Sequence, residues 1–374
     1  MTQKLYDIDS HIKEFTATVL SCEDNKAVLD RTAFFPEGGG QTADIGFIDG
    51  IKVLDVQIED GEIYHYLENP IQTGKQVECQ LDWEKRFRKM QNHSGEHIIS
   101  GIVHSLYGYE NVGFHLSETE MTMDFDGLLQ KQDLKKIEKL ANEAIYKNAK
   151  FNCFYPESLE NLEYRAKLDL KEDVRIVEIE GYDRCACCAP HVNSACEIGV
   201  IKIISFCKNK GGVRLFVKCG MDALENYYNQ NENTLKISSL LCTPQDEVVS
   251  GVEKQIEQMG KQKFEIINLK HRLIAEISKN FEPESEISLL FEDGFDMKEL
   301  SLLSDALHKS KGGIRGVFSG SENNYSFAIC GEPKKLDTFF KDFKEKINVR
   351  GGGRNGMVQG TAYDTKEEIL KFTL

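Results

Sequence analysis

Short apolar or β-branched runs alternate with polar, turn-forming pieces over the first eighty residues. The apolar runs lie at residues 15–20, 27–29, 53–58, 63–67 and 77–81. Turn-prone pieces such as Glu23-Asp-Asn25 and Glu59-Asp-Gly61 separate them. Several short strands without a helical pattern predict a small β-barrel over residues 1–82.

From Trp83 the pattern changes to helical spacing interrupted by strands. One helix is expected from Trp83 through Leu106, and a second over residues 132–147, where apolar residues recur every three to four positions. Strand-like runs follow at residues 120–125, 174–179 and 200–206. This pattern predicts an α+β domain over residues 83–220.

The next stretch is predicted to be a helical connector over residues 221–283. Pro244 and Pro283 bound a long segment without proline, which would span roughly 55 Å as a helix at about 1.5 Å per residue. Apolar residues follow the 3-4-3 spacing of a coiled-coil seam at Val249, Val252, Ile256 and Met259. This helix is compatible with a spacer between domains and with a homodimer interface through residues 245–282.

Residues 284–374 are predicted to form a small α/β domain. Strand patterns at residues 287–291, 313–318 and 326–330 precede an amphipathic helix at 336–347. The full fold class is therefore α+β, with a small barrel, an α+β domain, a long helical connector and a C-terminal α/β domain.

Composition limits the function classes. The 374 residues suffice for two or three domains, and no apolar run is long enough to cross a membrane. Eleven cysteines, an odd count, and a first segment without a signal-peptide pattern favour reduced thiols and a cytoplasmic location.

A basic segment stands out in this acidic chain. The net charge of −15 disfavours nucleic-acid binding overall, yet residues 308–354 hold ten Lys/Arg against five Asp/Glu, a net of +5. Arginines beside exposed glycines allow guanidinium and backbone N–H groups to approach phosphates. The candidate contacts are Lys341, Lys344, Arg350, Gly351, Gly352, Gly353 and Arg354.

The first chemical motif is His93-Ser-Gly-Glu-His97. Residues at i and i+4 share one helix face, so both imidazoles can bind one metal ion. Glu96 is a candidate general base, although helix geometry turns it about 100° away from His97.

The second motif is Cys187-x-x-x-His191, where Pro190 favours a loop over a helix. Thiolate and imidazole are usual zinc ligands, and Cys185 and Cys188 compete with Cys187 for the thiolate position.

Several separated motifs carry a family resemblance that covers nearly the whole chain. They are Thr32 to Gln41 with Asp44 and Gly46, His93 to His97, Ile137-Glu138 with Asn142 and Ile145, Val174 to Val177, Cys187 to Val192, Gly212 to Leu215, and Gly351 to Gly360. In this order they resemble long-form AlaX proteins, free-standing relatives of the editing domain of alanyl-tRNA synthetase.

The resemblance implies a trans-editing deacylase of tRNA(Ala) mischarged with serine, and by extension with glycine. It also implies one zinc ion per chain held by His93, His97, Cys187 and His191, and a tRNA-binding C-terminal domain. Thr32 is the candidate that reads the serine hydroxyl, and Gln41 is a second pocket-lining candidate.

One departure and two alternatives accompany this hypothesis. The family usually has two glycines and a threonine where this chain has Cys188, Ala189 and Pro190. The histidine motif also fits the His-x-x-Glu-His signature of metallopeptidases, with Glu96 as base. The third class is a non-catalytic RNA-binding protein whose fold is stabilised by zinc. The basic segment favours both RNA-based interpretations over the peptidase.

Overall fold

The computed structural model describes residues 2–118, 120–160, 162–166 and 174–373. The chain divides into two compact units, Met1–Leu235 and Lys236–Leu374. Both units mix helices and strands, which confirms the predicted α+β class. The finer division into four domains stays a prediction.

The first unit opens with strand β1 (Gln3–Lys4) and the one-turn helix α1 (Leu5–Ile8). A closed barrel follows in the order β2-β3-β7-β6-β5-β8, while β4 pairs in parallel with β1. The strands are β2 (Glu14–Glu23), β3 (Lys26–Leu29), β4 (Arg31–Thr32), β5 (Gly46–Ile48), β6 (Ile51–Glu59), β7 (Glu62–Leu67) and β8 (Gln76–Leu81). Val77, Cys79 and Leu81 are buried and alternate with exposed residues along β8, so every second side chain of this strand fills the barrel interior.

Helix α2 (Trp83–Tyr107) is the central element of the rest of this unit. It begins after Asp82, whose carboxylate accepts the Lys85 amide at 3.2 Å, and ends at Gly108, which has φ 70°. Its middle turns are buried on all sides, because they pack against α3, β13 and β15. Helix α3 is Lys131–Tyr146.

Two antiparallel sheets surround α2. One runs in the order β14-β15-β10-β9, and the other β11-β12-β13. Their strands are β9 (Asn111–Leu116), β10 (Met121–Phe125), β11 (Phe151–Phe154), β12 (Ile176–Ile179), β13 (Asp183–Ala186), β14 (Ile201–Asn209) and β15 (Gly212–Cys219). The segment after β13 is irregular, as Pro190 predicted, and carries Cys187 and His191.

Helix α4 (Gly220–Leu241) follows β15, and helix α5 (Val248–Asn280) lies in the second unit. The 33 residues of α5 give a length of roughly 50 Å, so the predicted long helix is present. Val249, Ile256 and Met259 are each more than 60% exposed, which places the predicted seam on the surface of this unit.

The rest of the second unit is a mixed sheet with helices. The sheet order is β16-β17-β18-β20-β19, parallel between β16 and β17 and antiparallel elsewhere. The elements are β16 (Ile287–Phe291), α6 (Met297–Lys311), β17 (Ile314–Ser321), β18 (Asn324–Cys330), α7 (Pro333–Lys346), β19 (Val349–Arg354), β20 (Met357–Ala362) and α8 (Lys366–Leu370). Across the described residues, the helices are too short or too polar to cross a membrane.

Candidate metal centre

The structure brings the two predicted ligand pairs together. His93 and His97 lie on one face of α2 with ring centroids 5.5 Å apart. The loop after β13 places His191 4.9 Å from the first ring and 4.8 Å from the second. With Cys187, the candidate ligand atoms all lie within 4.8 Å of one another. All but Cys187, which is partly buried, are buried residues.

Two of the distances between donor atoms match those of a tetrahedral zinc ion. Sγ of Cys187 lies 3.6 Å from Nε2 of His93 and 3.4 Å from Nε2 of His191. Zn–N bonds of about 2.0–2.1 Å and a Zn–S bond of about 2.3 Å separate tetrahedral neighbours by roughly 3.3–3.6 Å. Small movements of these side chains would complete the coordination.

Each imidazole also has a partner on its other nitrogen. A contact at Nδ1 orients the ring and leaves Nε2 to face a metal ion. The Nδ1 partners are Gln41 Oε1 for His93 at 3.0 Å, Asp183 Oδ2 for His97 at 3.2 Å and Ser94 Oγ for His191 at 3.1 Å. This pattern is typical of metal-binding histidines.

Asp183 is held in turn by Arg165. The guanidinium donates from Nε at 2.8 Å and from a terminal nitrogen at 2.7 Å, one bond to each carboxylate oxygen. Burial opposes ionisation of Asp183, but the hydrogen bonds from His97 and Arg165 keep its pKa below the usual value. Sequence reasoning missed Asp183, Arg165 and Ser94 as site residues, because nothing in the local sequence pairs them with distant histidines.

In the metal-free site the electrostatics favour the metal-binding forms of Cys187 and His191 but not that of His97. Burial would lower the pKa of His97, but Glu96 and Asp183 raise it well above its usual value, so a metal ion has to displace that proton. Burial by itself would raise the pKa of the Cys187 thiol, but the rings of His93 and His191 lower it well below its usual value. Burial lowers the pKa of His191 to about 3, against the opposing effect of Cys187. A thiolate and a neutral imidazole are the states that a metal requires.

The glycine run before Gln41 brings this residue to the centre. Gly40 has φ 81°, and a Cβ atom there would lie 2.6 Å from the carbonyl oxygen of Phe114. Glycine therefore allows the loop to pack on β9, so that the Gln41 side chain reaches His93. Gln41 is 1% exposed, and within the described part of the chain its Nε2 has no hydrogen-bond partner.

A buried ion pair anchors the same loop to α2. The Asp44 carboxylate accepts the Phe35 amide at 2.8 Å and Nε of Arg86 at 2.7 Å. Arg86 also donates to the carbonyl oxygens of Ser10 and Ala33. These bonds fix the position of the barrel loop relative to helix α2.

Thr32 lies inside the barrel with its hydroxyl already bonded. Its Oγ1 lies 2.8 Å from Nε2 of His65 and accepts the Phe34 amide at 3.1 Å. His65 Nδ1 lies 3.2 Å from the Ala27 carbonyl oxygen, and burial lowers the pKa of this histidine to about 4. The neutral ring therefore donates to Ala27 and accepts from Thr32. A role for Thr32 in substrate recognition stays a prediction.

Glu96 is buried beside the centre. Its Oε1 accepts from Ser100 at 2.8 Å and from Asn111, while Oε2 lies 3.7 Å from Nε2 of His97. The carboxylate therefore reaches closer to the centre than the helical geometry predicted. Its role as a base stays a prediction.

The predicted tRNA contacts lie in the second unit, on α7 and β19. All of Lys341, Lys344, Arg350, Gly351, Gly352, Gly353 and Arg354 are exposed. Strand β19 is an edge of its sheet, so its outer backbone groups face solvent. The glycines form a hairpin strand paired with β20, which the sequence pattern did not predict.

Two family models match parts of the chain. Residues 3–85 match "tRNA synthetases class II (A)", and residues 174–216 match "Threonyl and Alanyl tRNA synthetase second additional domain". The first covers the barrel, and the second covers the Cys187/His191 loop.

Curated relatives extend the similarity to almost the whole chain. An alanine–tRNA ligase of Ignicoccus hospitalis is 31% identical over 293 residues, 74% of this chain and 32% of the ligase. One of Methanococcus vannielii is 28% identical over 386 residues, 98% of this chain and 43% of the ligase. The alanyl-tRNA editing protein Aarsd1-A of Xenopus laevis is 26% identical over 346 residues, 90% of this chain and 84% of that protein.

The chain thus spans less than half the length of the ligases but matches most of the Xenopus protein. A solved C-Ala domain of Aquifex aeolicus alanyl-tRNA synthetase aligns with 25% of this chain and 94% of its own, at 20% identity and a TM-score of 0.21. That score is too low to compare the folds.

Proposed function

We propose that this chain, an AlaX-like relative of the alanine–tRNA ligases, hydrolyses the aminoacyl ester of tRNA(Ala) mischarged with serine, and we extend the proposal to glycine. The observation that carries it is the convergence of Cys187 and His191 on His93 and His97, in the segments that match the editing relatives. An alanine pocket rejects serine by only about 10²-fold, so a separate hydrolytic site is needed.

The residues of the centre have distinct parts in this proposal. His93, His97, Cys187 and His191 would hold zinc, which supplies a Lewis acid that activates water or orients the substrate amine. Gln41 orients His93 through Oε1, and its Nε2, which has no partner among the described residues, can donate to a bound ester or hydroxyl. Asp183 and Ser94 keep the other two rings in place.

The ligand set supports editing over the metallopeptidase alternative. A His-x-x-Glu-His peptidase needs Glu96 as a mobile base and a carboxylate as third ligand. Here the cluster includes the Cys187 thiol, and one oxygen of Glu96 is hydrogen-bonded by Ser100 and Asn111. A thiolate ligand has no part in the peptidase scheme.

The decisive experiment measures deacylation of seryl-tRNA(Ala) and alanyl-tRNA(Ala) by the wild type, Cys187→Ala and Cys207→Ala. Cys207 is an exposed cysteine on β14 and serves as the matched control. We expect hydrolysis of the seryl ester, retention of the alanyl ester, and loss of activity and zinc in Cys187→Ala alone. A zinc-loaded protein that binds tRNA without hydrolysing either the seryl or the glycyl ester would favour the non-catalytic RNA-binding alternative.

The proposal includes tRNA binding by the exposed basic segment of the second unit. Arg350 and Arg354 flank the glycines of β19, and Lys341 and Lys344 are exposed on α7. Replacing Arg350 and Arg354 by alanine should lower tRNA affinity and reduce the salt slope of log K by about 2. Replacing Lys261, an exposed lysine on α5 paired with Glu257, is the control.

We further propose that α5 forms a homodimer through Val249, Val252, Ile256 and Met259. These apolar residues are 42–69% exposed and follow a heptad-like seam. Sedimentation of the wild type and of Ile256→Lys tests this: a dimer that the lysine dissociates supports the interface, and a monomeric wild type contradicts it.

A further inference from the structure

The glycine strand β19 contributes to the face of the second unit's sheet on which α6 packs. Ala328 of β18 packs in one cluster with residues of α6, and Gln359 of β20 lies directly opposite Ala328. Gln359 in turn lies opposite Gly352 of β19. Directly paired residues share one face of an antiparallel sheet, so Gly352 is on the α6 face. Alternate residues of a strand share a face, which places Arg350 and Arg354 there as well.

One glycine of this strand is not explained by packing. A Cβ atom on Gly351 or Gly353 would collide with a backbone carbonyl oxygen of β20, so both positions require glycine. A Cβ atom on Gly352 would meet no atom of the described residues within 4 Å. Glycine inside a strand costs stability and often marks a site where a ligand approaches the backbone closely. Gly352 therefore indicates that a ligand binds on the α6 face.

A depression of about 460 Å³ lies on this face between α6 and β20. The residues that line it include Met297, Ser301, Leu302, Met357 and Gln359. Leu302 is 47% exposed, so the apolar lining is open to solvent. Sites for small ligands usually have about 300–1,000 Å³ and a mainly apolar lining with a few polar groups. The depression has this character, and Gly352 is paired with Gln359 at its edge.

The amide of Gln359 has a fixed orientation and one available acceptor. Its Nε2 donates to Oγ of Ser301 at 2.7 Å, and Ser301 donates to the carbonyl oxygen of Met297 at 2.6 Å. Among the residues that the structure describes, Oε1 of Gln359 has no hydrogen-bond partner. An oriented amide oxygen beside an apolar surface can accept an N–H group from the edge of a nucleobase.

Positive charge lies around the depression. Lys298 lines it, and Arg350 and Arg354 lie on the same face of the adjacent strand. In the described part of the chain, these three cations have no carboxylate partner. Asp305, the acidic residue of the lining, is paired with Lys309 at 2.7 Å. An apolar surface bordered by unpaired cations is complementary to a nucleotide, which joins a flat base to an anionic phosphate.

We propose that this depression binds an unpaired nucleotide of RNA, with the base against Gly352 and Gln359 and the flanking phosphates on Arg350 and Arg354. This inference rests on the tRNA binding included in the proposed function and adds a site for a base to it. Side chains cannot read the deep major groove of an RNA helix, whereas an unstacked base presents its face and its edge. The bound segment is therefore single-stranded.

Fluorescence anisotropy with the full chain tests whether a base is bound. The probes are labelled single-stranded RNA oligomers of each of the four bases and a strand of equal length with abasic sugars only. At one salt concentration, we expect the wild type to bind at least one base-bearing oligomer about tenfold more tightly than the abasic strand. The abasic strand measures the contribution of the phosphates alone.

Gly352→Val assigns the effect to the depression. Valine suits an extended strand and would occupy the space that the base requires. We expect this variant to lose the preference for bases while it binds the abasic strand as the wild type does. Gly260→Val is the matched control, because a Cβ atom on Gly260 of α5 also meets no described atom within 4 Å. Alanine at both Arg350 and Arg354 should instead weaken binding of every strand.

Leu302→Glu is a second variant for the case that valine at position 352 lowers the melting temperature. It adds an anionic side chain at an exposed position of the lining on α6, so it should also abolish the preference for bases. Equal affinity of the wild type for base-bearing and abasic strands would overturn the base site. A preference for bases that persists in folded Gly352→Val or in Leu302→Glu would overturn it too.

These outcomes are distinct from those of the proposed function, since binding is measured without an ester. A wild type that prefers base-bearing strands but hydrolyses no aminoacyl ester would overturn the editing proposal alone. A wild type that hydrolyses the seryl ester but binds both kinds of strand equally would overturn the base site alone.

Discussion

The side-chain oxygen of Gln41 lies 3.0 Å from Nδ1 of His93, so the loop that follows the glycine run of the barrel contacts helix α2 at the candidate centre. The barrel and the α+β part of the first unit therefore contribute to one site. This contact makes metal affinity sensitive to a residue that is not itself a ligand.

Gln41→Leu should weaken zinc binding about 10–100-fold, the usual effect of removing a partner of a ligating histidine. Zinc transfer to a fluorescent chelator measures the affinity directly. Gln57→Leu is the control, since the Gln57 side chain donates to Glu37 and Asp55 and not to a histidine of the centre. Unchanged zinc affinity in Gln41→Leu would show that the contact does not orient His93.

Asp183→Asn should also weaken zinc binding by about 10–100-fold. The substitution removes the negative charge of the carboxylate that contacts both Arg165 and His97. The same chelator titration applies. Glu178→Gln is its control, since Glu178 pairs with Arg184 on the adjacent strand. Equal effects of the two variants would contradict a specific role for Asp183.

Arg86→Met should lower the free energy of unfolding by about 3–5 kcal/mol, because it removes the hydrogen-bonded charge partner of the buried Asp44 carboxylate and leaves only Lys89, 4.0 Å away. Urea unfolding measures this loss. Glu257→Gln, which removes an exposed pair with Lys261 on α5, should change stability by less than about 0.5 kcal/mol. A loss below about 1 kcal/mol for Arg86→Met would mean that Lys89 or water compensates the Asp44 charge.

His65 should make stability fall in mild acid. Burial lowers its folded pKa to about 4 from an ordinary 6.5, so the unfolded chain binds the proton more readily. The stabilisation by neutral His65 is therefore complete above pH 6.5 and is lost as the pH falls toward 4. The shift is worth on the order of 3 kcal/mol.

Urea unfolding of metal-free protein between pH 7 and 4.5 measures this dependence. His65→Gln keeps a donor and an acceptor but does not titrate, so its stability should fall less over the same window. Parallel curves for the two proteins would refute the assignment to His65.

Local sequence patterns predicted much of this molecule. Short apolar runs predicted five of the six strands of the closed barrel within a few residues, because side chains such as Val77 and Leu81 fill its interior. The helical period placed α2, and the i, i+4 spacing placed His93 and His97 on one face of it. The missed elements include β5, β9, β11 and α6, because short or weakly patterned segments acquire their structure from packing.

The sequence by itself determined the elements and, through the motif resemblance, the chemical types of the candidate ligands. Only the tertiary structure decided which groups surround them: Asp183 beside His97, Ser94 beside His191, and Cys188 against Gly39. The reason is physical. Periodicity and residue spacing arise from the local backbone, whereas these contacts join segments about 90–150 residues apart whose meeting depends on how barrel, helix and loop pack.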